Sequence, residues 1–408
     1  MTVAETRSSQ FRSPHLLLVL VSALLILGVS FGARATMGLF VNPISETMGW
    51  GIAVFSFALA GQNLIWGLAQ PFAGMFADRF GPKLTLILGT LIYIAGLAGM
   101  TVSTTELLMN ITAGMLIGAG IAATSFPIVL GAVGKAFTGK QRTLALGIAT
   151  SGGSLGQFAV VPATQWVLGN TTWQSTLFVL CGVTALMIPL MFLMLRGTRG
   201  EAAPVAPALS LGDALGEAMR HSGYWLLVAG FFVCGFHVAF IGVHMPNFVA
   251  LCGLSPSVGA FSLALIGLFN IIGTVTAGWL GGFLRMKHVL SWIYLGRAVA
   301  ILGLLLLPQT EITIYAFSAL MGVLWLSTVP LTSGLVAQIF GPAYMTTLYG
   351  IVFLSHQVGS FVGVWLGGAV FDATGNYNAV WITAIALGIF AAVVHWPIRD
   401  APLRLEPV

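Results

Sequence analysis

Apolar residues fall in long blocks separated by short polar or charged breaks. Crossing a hydrocarbon layer of about 30 Å takes roughly 20 helical residues, so each block predicts a spanning helix. The blocks lie at 16–41, 52–76, 84–103, 107–134, 143–168 and 174–195, then at 223–250, 257–281, 288–307, 312–339, 345–370 and 377–396. The pattern predicts an all-α polytopic membrane protein with twelve transmembrane helices in two sets of six. Residues 1–195 form the N-terminal bundle and 223–408 the C-terminal one. The linker, 196–222, carries Pro204 and Pro207 and ends in a short amphipathic helix capped by Ser210.

Composition agrees, since 58% hydrophobic and 7% charged residues cannot cover a soluble surface. The net charge of +5 comes from the placement of charges and implies no nucleic-acid partner. Of the sixteen Lys and Arg, fourteen lie in one set of loops and tails: Arg7, Arg12, Arg79, Lys83, Lys135, Lys140, Arg142, Arg196, Arg199, Arg220, Arg285, Lys287, Arg399 and Arg404. The opposite loops hold Glu46, Glu106, Glu311 and Asp372, with no Lys or Arg. The positive-inside rule then puts both termini in the cytoplasm of a cell with this protein in its inner membrane. Arg7 and Arg12 before an apolar run imitate a signal peptide, but the run is overlong and further spans follow, so no cleavage is expected. Cys181, Cys234 and Cys252 sit in apolar runs without metal-type spacing and read as free thiols packed as small hydrophobes. No metal and no cofactor is implied.

The halves repeat at an offset of 203 residues. Thr124-Ser125-Phe126-Pro127, Gly131 and Phe137 align with Ser327-Thr328-Val329-Pro330, Gly334 and Phe340, while Gly147 and Gly156 align with Gly350 and Gly359. Pro43 aligns with Pro246, and Arg34 with His237. After the second block stand Gly74, Asp78, Arg79, Gly81 and Lys83, spaced G-x-x-x-D-R-x-G-x-K. This resembles the signature of the major facilitator superfamily, whose fold is a parallel repeat of two six-helix bundles. Asp78 could accept hydrogen bonds from a helix N-terminus or pair with a basic side chain, latching the bundles on one face in one state. The echo from Gly278 to Lys287 has Gly282 in place of the acid, which predicts an asymmetric latch.

Within that superfamily the chain is similar to bacterial relatives of the monocarboxylate transporters and oxalate/formate antiporters. The likeness rests on Gly32-Ala33-Arg34, Gly38-Leu39-Phe40, Pro43, Met48-Gly49-Trp50, Gln62-Asn63 and Trp66-Gly67-Leu68-Ala69-Gln70-Pro71. It implies that Arg34 binds a substrate carboxylate. A guanidinium in hydrocarbon costs at least ~2.5 kcal/mol, and its planar fork suits a carboxylate; a structural arginine bonded to carbonyls or snorkelling outward is the competing reading.

His244 and Asn270 match two further places in that family, whereas its second cation is absent, with Thr274 one turn after Asn270. Span eleven offers His356 and Gln357 where the oxalate antiporter has a lysine. Gln62, Asn63, Thr124, Gln157, Asn247 and Trp325 complete the candidate binding residues. Because no Asp or Glu lies within a predicted span, His237, His244 and His356 are the candidate proton carriers, each also readable as a hydrogen-bonded structural histidine. Arg297 has no visible partner and is assigned to bonding with carbonyls or polar groups.

The expected function is proton-coupled symport of a small organic anion, most simply a monocarboxylate, by alternating access. Its partners are that anion, a proton and the lipid bilayer, with no obligate protein partner. The alternative is a proton-antiporting exporter of a lipophilic compound, motivated by Trp66, Phe126, Trp325 and Phe353. Gly153, standing where exporters carry a proline, weighs against it. No catalytic constellation supports an enzyme.

Overall fold

The computed structural model describes residues 13–50, 52–198 and 210–403. Arg7, Arg12, Arg199, Pro204, Pro207 and Arg404, and the side chains of Arg196 and Asp372, lie outside what is described. The described chain is helical, with Pro14–Phe40 as span one, Ile52–Phe80 as span two, Pro82–Thr101 as span three, Glu106–Ala136 as span four, Gly139–Asn170 as span five and Trp173–Met194 as span six. The second group is Ser222–Leu251, Pro256–Gly281, Met286–Leu306, Glu311–Phe340, Met345–Thr374 and Asn378–His395, spans seven to twelve. By length and composition 11 of these helices can cross a membrane, and Ile52–Phe80, with Gln62, Asn63 and Gln70 along it, completes the set. The surface helix is Leu211–Arg220, and the Ser210 side chain accepts the Asp213 N–H at 3.2 Å, which supplies one orphan donor of its first turn.

Each half is built by the same contacts. Span one packs on five and six, two on four, and three on four and six; seven packs on eleven and twelve, eight on ten, and nine on ten and twelve. The glycines of the repeat explain the closest of these approaches. A Cβ on Gly156 would lie 1.8 Å from the Gly28 carbonyl oxygen, and one on its mate Gly359 2.0 Å from that of Phe232. Only hydrogen fits there.

Spans four and ten both break where the repeat predicts correspondence. The break in span four falls at Ser125, which is extended (φ -96, ψ -173). In span ten one helix ends at Leu324 and the next begins at Thr328. A break leaves backbone groups without helical partners, so each must be satisfied from a neighbouring helix. Gln70 of span two donates to the Ala122 carbonyl at 3.0 Å, and Ser125 donates to the Gln70 side-chain oxygen at 2.7 Å. In the other half, Arg297 of span nine donates to the Leu324 carbonyl at 2.8 Å and also to that of Trp325.

The bundles meet chiefly through spans two, four and five against eight, ten and eleven. Gly147 lies against the Thr274 carbonyl and the Gly278 backbone, and Gly74 against Thr346 and Thr347. These crossings close the face that carries the loops after spans two and eight.

Candidate functional site: the interface between the bundles

Asp78 ends span two with its carboxylate fully buried between the bundles. One oxygen accepts the backbone N–H of Thr347 at 2.7 Å and its hydroxyl at 2.8 Å, and the other faces the Lys135 ammonium at 2.9 Å. Thr347 opens span eleven, so the carboxylate sits on unpaired amides at the positive end of that helix. In the echo the contacts differ. A Cβ on Gly282 would meet the Lys140 carbonyl oxygen at 2.8 Å, and the Lys140 ammonium lies 4.8 Å from the Phe283 ring. Arg285, the echo's basic residue, turns back into its own half and grips Asp400 with two N–H groups at 2.5 and 3.2 Å. Those hydrogen bonds hold the Asp400 carboxyl below the usual carboxylate range.

Arg34 stands at the end of the α-helical part of span one, just before the 3-10 turn Thr36–Phe40. It is partly buried, donates to the Asn63 side-chain oxygen at 2.5 Å, and lies 5.0 Å from the Trp66 ring centre. Asn63 is oriented by donating to the Leu59 carbonyl at 3.0 Å. No described carboxylate pairs with Arg34, and its Nε is buried without a hydrogen-bond partner. Next to it an aromatic cluster joins the two bundles. Trp66 meets Phe31 at 5.7 Å and, across the interface, Phe353 at 5.3 Å; Phe126 meets Phe31 at 4.4 Å.

From the C-terminal half, Asn270 reaches this interface, donating to Ser154 of span five at 2.6 Å and accepting the Leu326 N–H at 2.9 Å. His356 stacks on Phe353 with ring centres 5.3 Å apart. Gln357 packs against Gly67 of span two, and its Nε2 is buried without a partner. Gln157 is exposed on span five, and Trp325 is partly exposed at the break in span ten.

Other residues singled out in the sequence are committed elsewhere. His237 is completely buried, with Nε2 2.8 Å from the Ala384 carbonyl, so the repeat mate of Arg34 is turned to span twelve and packed there. His244 lies 3.1 Å from the Tyr377 hydroxyl and 3.0 Å from the Val364 carbonyl, and Asn247 donates to Tyr377 at 2.8 Å. That set ties span seven to span eleven and the start of span twelve instead of reaching Arg34. Gln62 donates to the Ala113 carbonyl at 2.9 Å, and Thr124 shares a hydrogen bond with Ser30 at 2.9 Å, so both hold the N-terminal bundle together. Cys234 is a free thiol, yet its surroundings are polar and include Thr328 at 3.1 Å.

Ser154, Gln70 and Thr347 join the site through contacts that only the structure gives. The signal for Gln70 was its place in the Trp66–Pro71 string; for Ser154 and Thr347 there was none, since a small hydroxyl within a span carries no pattern.

Comparison with known proteins agrees with this architecture. The family model described as Major Facilitator Superfamily matches residues 22–359. The uncharacterized MFS-type transporter YcxA of Bacillus subtilis is 24% identical, the match covering 90% of this chain and 91% of that one. Monocarboxylate transporter 13 of Rattus norvegicus is 25% identical over 93% of this chain and 89% of its own, and human monocarboxylate transporter 12 is 26% identical over 80% and 69%. Among solved structures, the proton:xylose symporter XylE superposes with a TM-score of 0.72 at 14% identity, covering 96% of this chain and 98% of XylE. The Escherichia coli fucose:proton symporter FucP gives 0.66 at 16%, covering 91% and 97%. With the bundles, the breaks and the helix-end carboxylate in place, this chain belongs to the Major Facilitator Superfamily of membrane transporters.

Proposed function

We propose that the protein is a secondary carrier that takes up a small organic anion, most simply a monocarboxylate, together with a proton. The observation that carries this reading is the unpaired guanidinium of Arg34, partly exposed beside the aromatic cluster and held by a neutral amide instead of a carboxylate. A permanent charge in such a place is costly unless an anion arrives to balance it, and the planar fork can grip a carboxylate with two parallel hydrogen bonds. With Arg34 the one described cation beside the aromatic cluster, one carboxylate is neutralised and a second would be left bare. The names of the two monocarboxylate transporters and of the proton symporters above support the same class.

In this reading the bundles rock about the site, Asp78 on Thr347 holds one face shut, and the basic loops lie in the cytoplasm of the inner membrane. The test is accumulation of labelled lactate or acetate, with succinate as the dicarboxylate control, in proteoliposomes under an inward proton gradient. Arg34→Ala should reduce uptake about tenfold or more, as loss of a charge-assisted hydrogen bond of about 1.5–3 kcal/mol predicts. Unchanged uptake by a folded Arg34→Ala protein would remove Arg34 from the site.

A further inference from the structure

The second intramembrane arginine raises a separate question. Arg297 is 0% exposed, and none of the described carboxylates pairs with it. A guanidinium does not shed its proton, so this charge is permanent. The Leu324 and Trp325 carbonyls solvate it at the C-terminal end of a helix, equivalent to about half a negative charge. The remainder is unbalanced, and Nη1 is buried without a hydrogen-bond partner.

The guanidinium touches one group that can become an anion at modest cost. Nη2 lies 3.5 Å from the sulfur of Cys234, which is itself fully buried. Thr328 lies 3.1 Å from that sulfur, and the His356 imidazole is its neighbour. The other titratable groups around the pair are Tyr294, whose ring centre is 5.2 Å from the guanidinium carbon, Tyr349, and His237, three residues after Cys234 on the same helix. Thiols ionise before phenols, and more readily beside Arg or His. A thiolate can accept from the guanidinium and Thr328 together, whereas a thiol must place its own proton between them. The offset of 203 maps Cys234, His356 and Tyr349 onto Phe31, Gly153 and Leu146, so the N-terminal half has no such cluster.

We propose that Cys234 and Arg297 form a buried proton-binding site, a thiolate–guanidinium ion pair when empty and a neutral thiol beside the guanidinium when loaded. His356 links it to the interface, since the same ring stacks on Phe353 beside Trp66 of the other bundle. The coupling of this proton to transport rests on the carrier reading above; the ionisation of Cys234 does not.

The first measurement therefore needs no substrate. In purified full-length protein carrying Cys181→Ser and Cys252→Ser, Cys234 is the only thiol, and its infrared S–H stretch reports its state. The band should be absent at neutral pH and should grow in on mild acidification. It should also appear at neutral pH in Arg297→Gln or, should that variant not fold, more weakly in Thr328→Val.

A full S–H band at neutral pH overturns the proposal. If chloride then raises thermal stability while the band persists, an inorganic anion balances Arg297 instead. In proteoliposomes Cys234→Ser should lose proton-driven accumulation yet keep exchange of labelled for unlabelled anion. Normal accumulation by Cys234→Ser, with the thiolate seen spectroscopically, would refute the coupling alone. Failure of every carboxylate probe in the parent protein would count against the carrier reading and leave the infrared result standing.

Discussion

The two halves solve one problem with different chemistry. Spans four and ten break at corresponding places, and each break leaves carbonyls to satisfy. In the N-terminal half a neutral amide, Gln70, does this, and the half's intramembrane arginine bonds Asn63 beside Trp66. In the C-terminal half the arginine itself closes the break, and the repeat mate of Arg34 is a buried histidine bonded to span twelve. Of the two intramembrane arginines, the one beside the interbundle aromatic cluster comes from the N-terminal half. Duplicated architecture evidently fixes where backbone needs partners, not which side chains supply them.

The sharpest way to break this comparison is to remove both arginines separately. Arg297→Ala strands the Leu324 and Trp325 carbonyls and should cost about 2–6 kcal/mol, at about 1–3 kcal/mol for each buried orphan. Arg34→Ala leaves only Asn63 to rehydrate and should barely move the melting temperature. Equal losses in a thermal melt would mean that Arg34 is as structural as Arg297.

The glycine crossings test whether the halves are equivalent where the contacts say they are. Gly156→Ala and Gly359→Ala each force a methyl into a backbone carbonyl, and each should destabilise by about 1–3 kcal/mol, as overpacking does. A loss confined to one variant, read by detergent-melt fluorescence, would show that the repeated crossing is rigid in one half and yielding in the other.

The smallest effect expected is at the latch. Asp78→Ala removes two bonds to Thr347 and the pairing with Lys135, and should raise hydrogen exchange at the start of span eleven about tenfold, the loss of roughly 1.4 kcal/mol. Exchange at the start of span five, opposite Gly282, should stay near its original rate. A matching rise there would dissolve the asymmetry between the two loops.

Much of this arrangement was legible in the chain. The spans are apolar blocks matched to the bilayer, and their observed ends lie close to those expected from the pattern, even where Pro71, Pro162 and Pro246 fall inside helices. That the two loops bond differently followed from one residue, Gly282, standing where an acid does in the first half.

What hydropathy cannot convey is which neighbour a polar side chain meets. His237 and His244 share a helix face by spacing, but spacing does not reveal that the Ala384 and Val364 carbonyls await them. Asp400 pairs with Arg285 across 115 residues, and Cys234 in an apolar run looks like any small hydrophobe until Arg297 is brought beside it. In each case the partner comes from a distant helix, and the choice is made by packing.

The ring pair Trp66 and Phe353 has a consequence of another kind. It bridges the bundles at 5.3 Å, so the parting of the halves at this point exposes aromatic surface that water must then cover. Hydrating apolar surface carries a large positive heat capacity. The enthalpy of that opening therefore changes with temperature, and in the proposed carrier cycle the balance between two orientations would depend on how warm the membrane is as well as on what is bound.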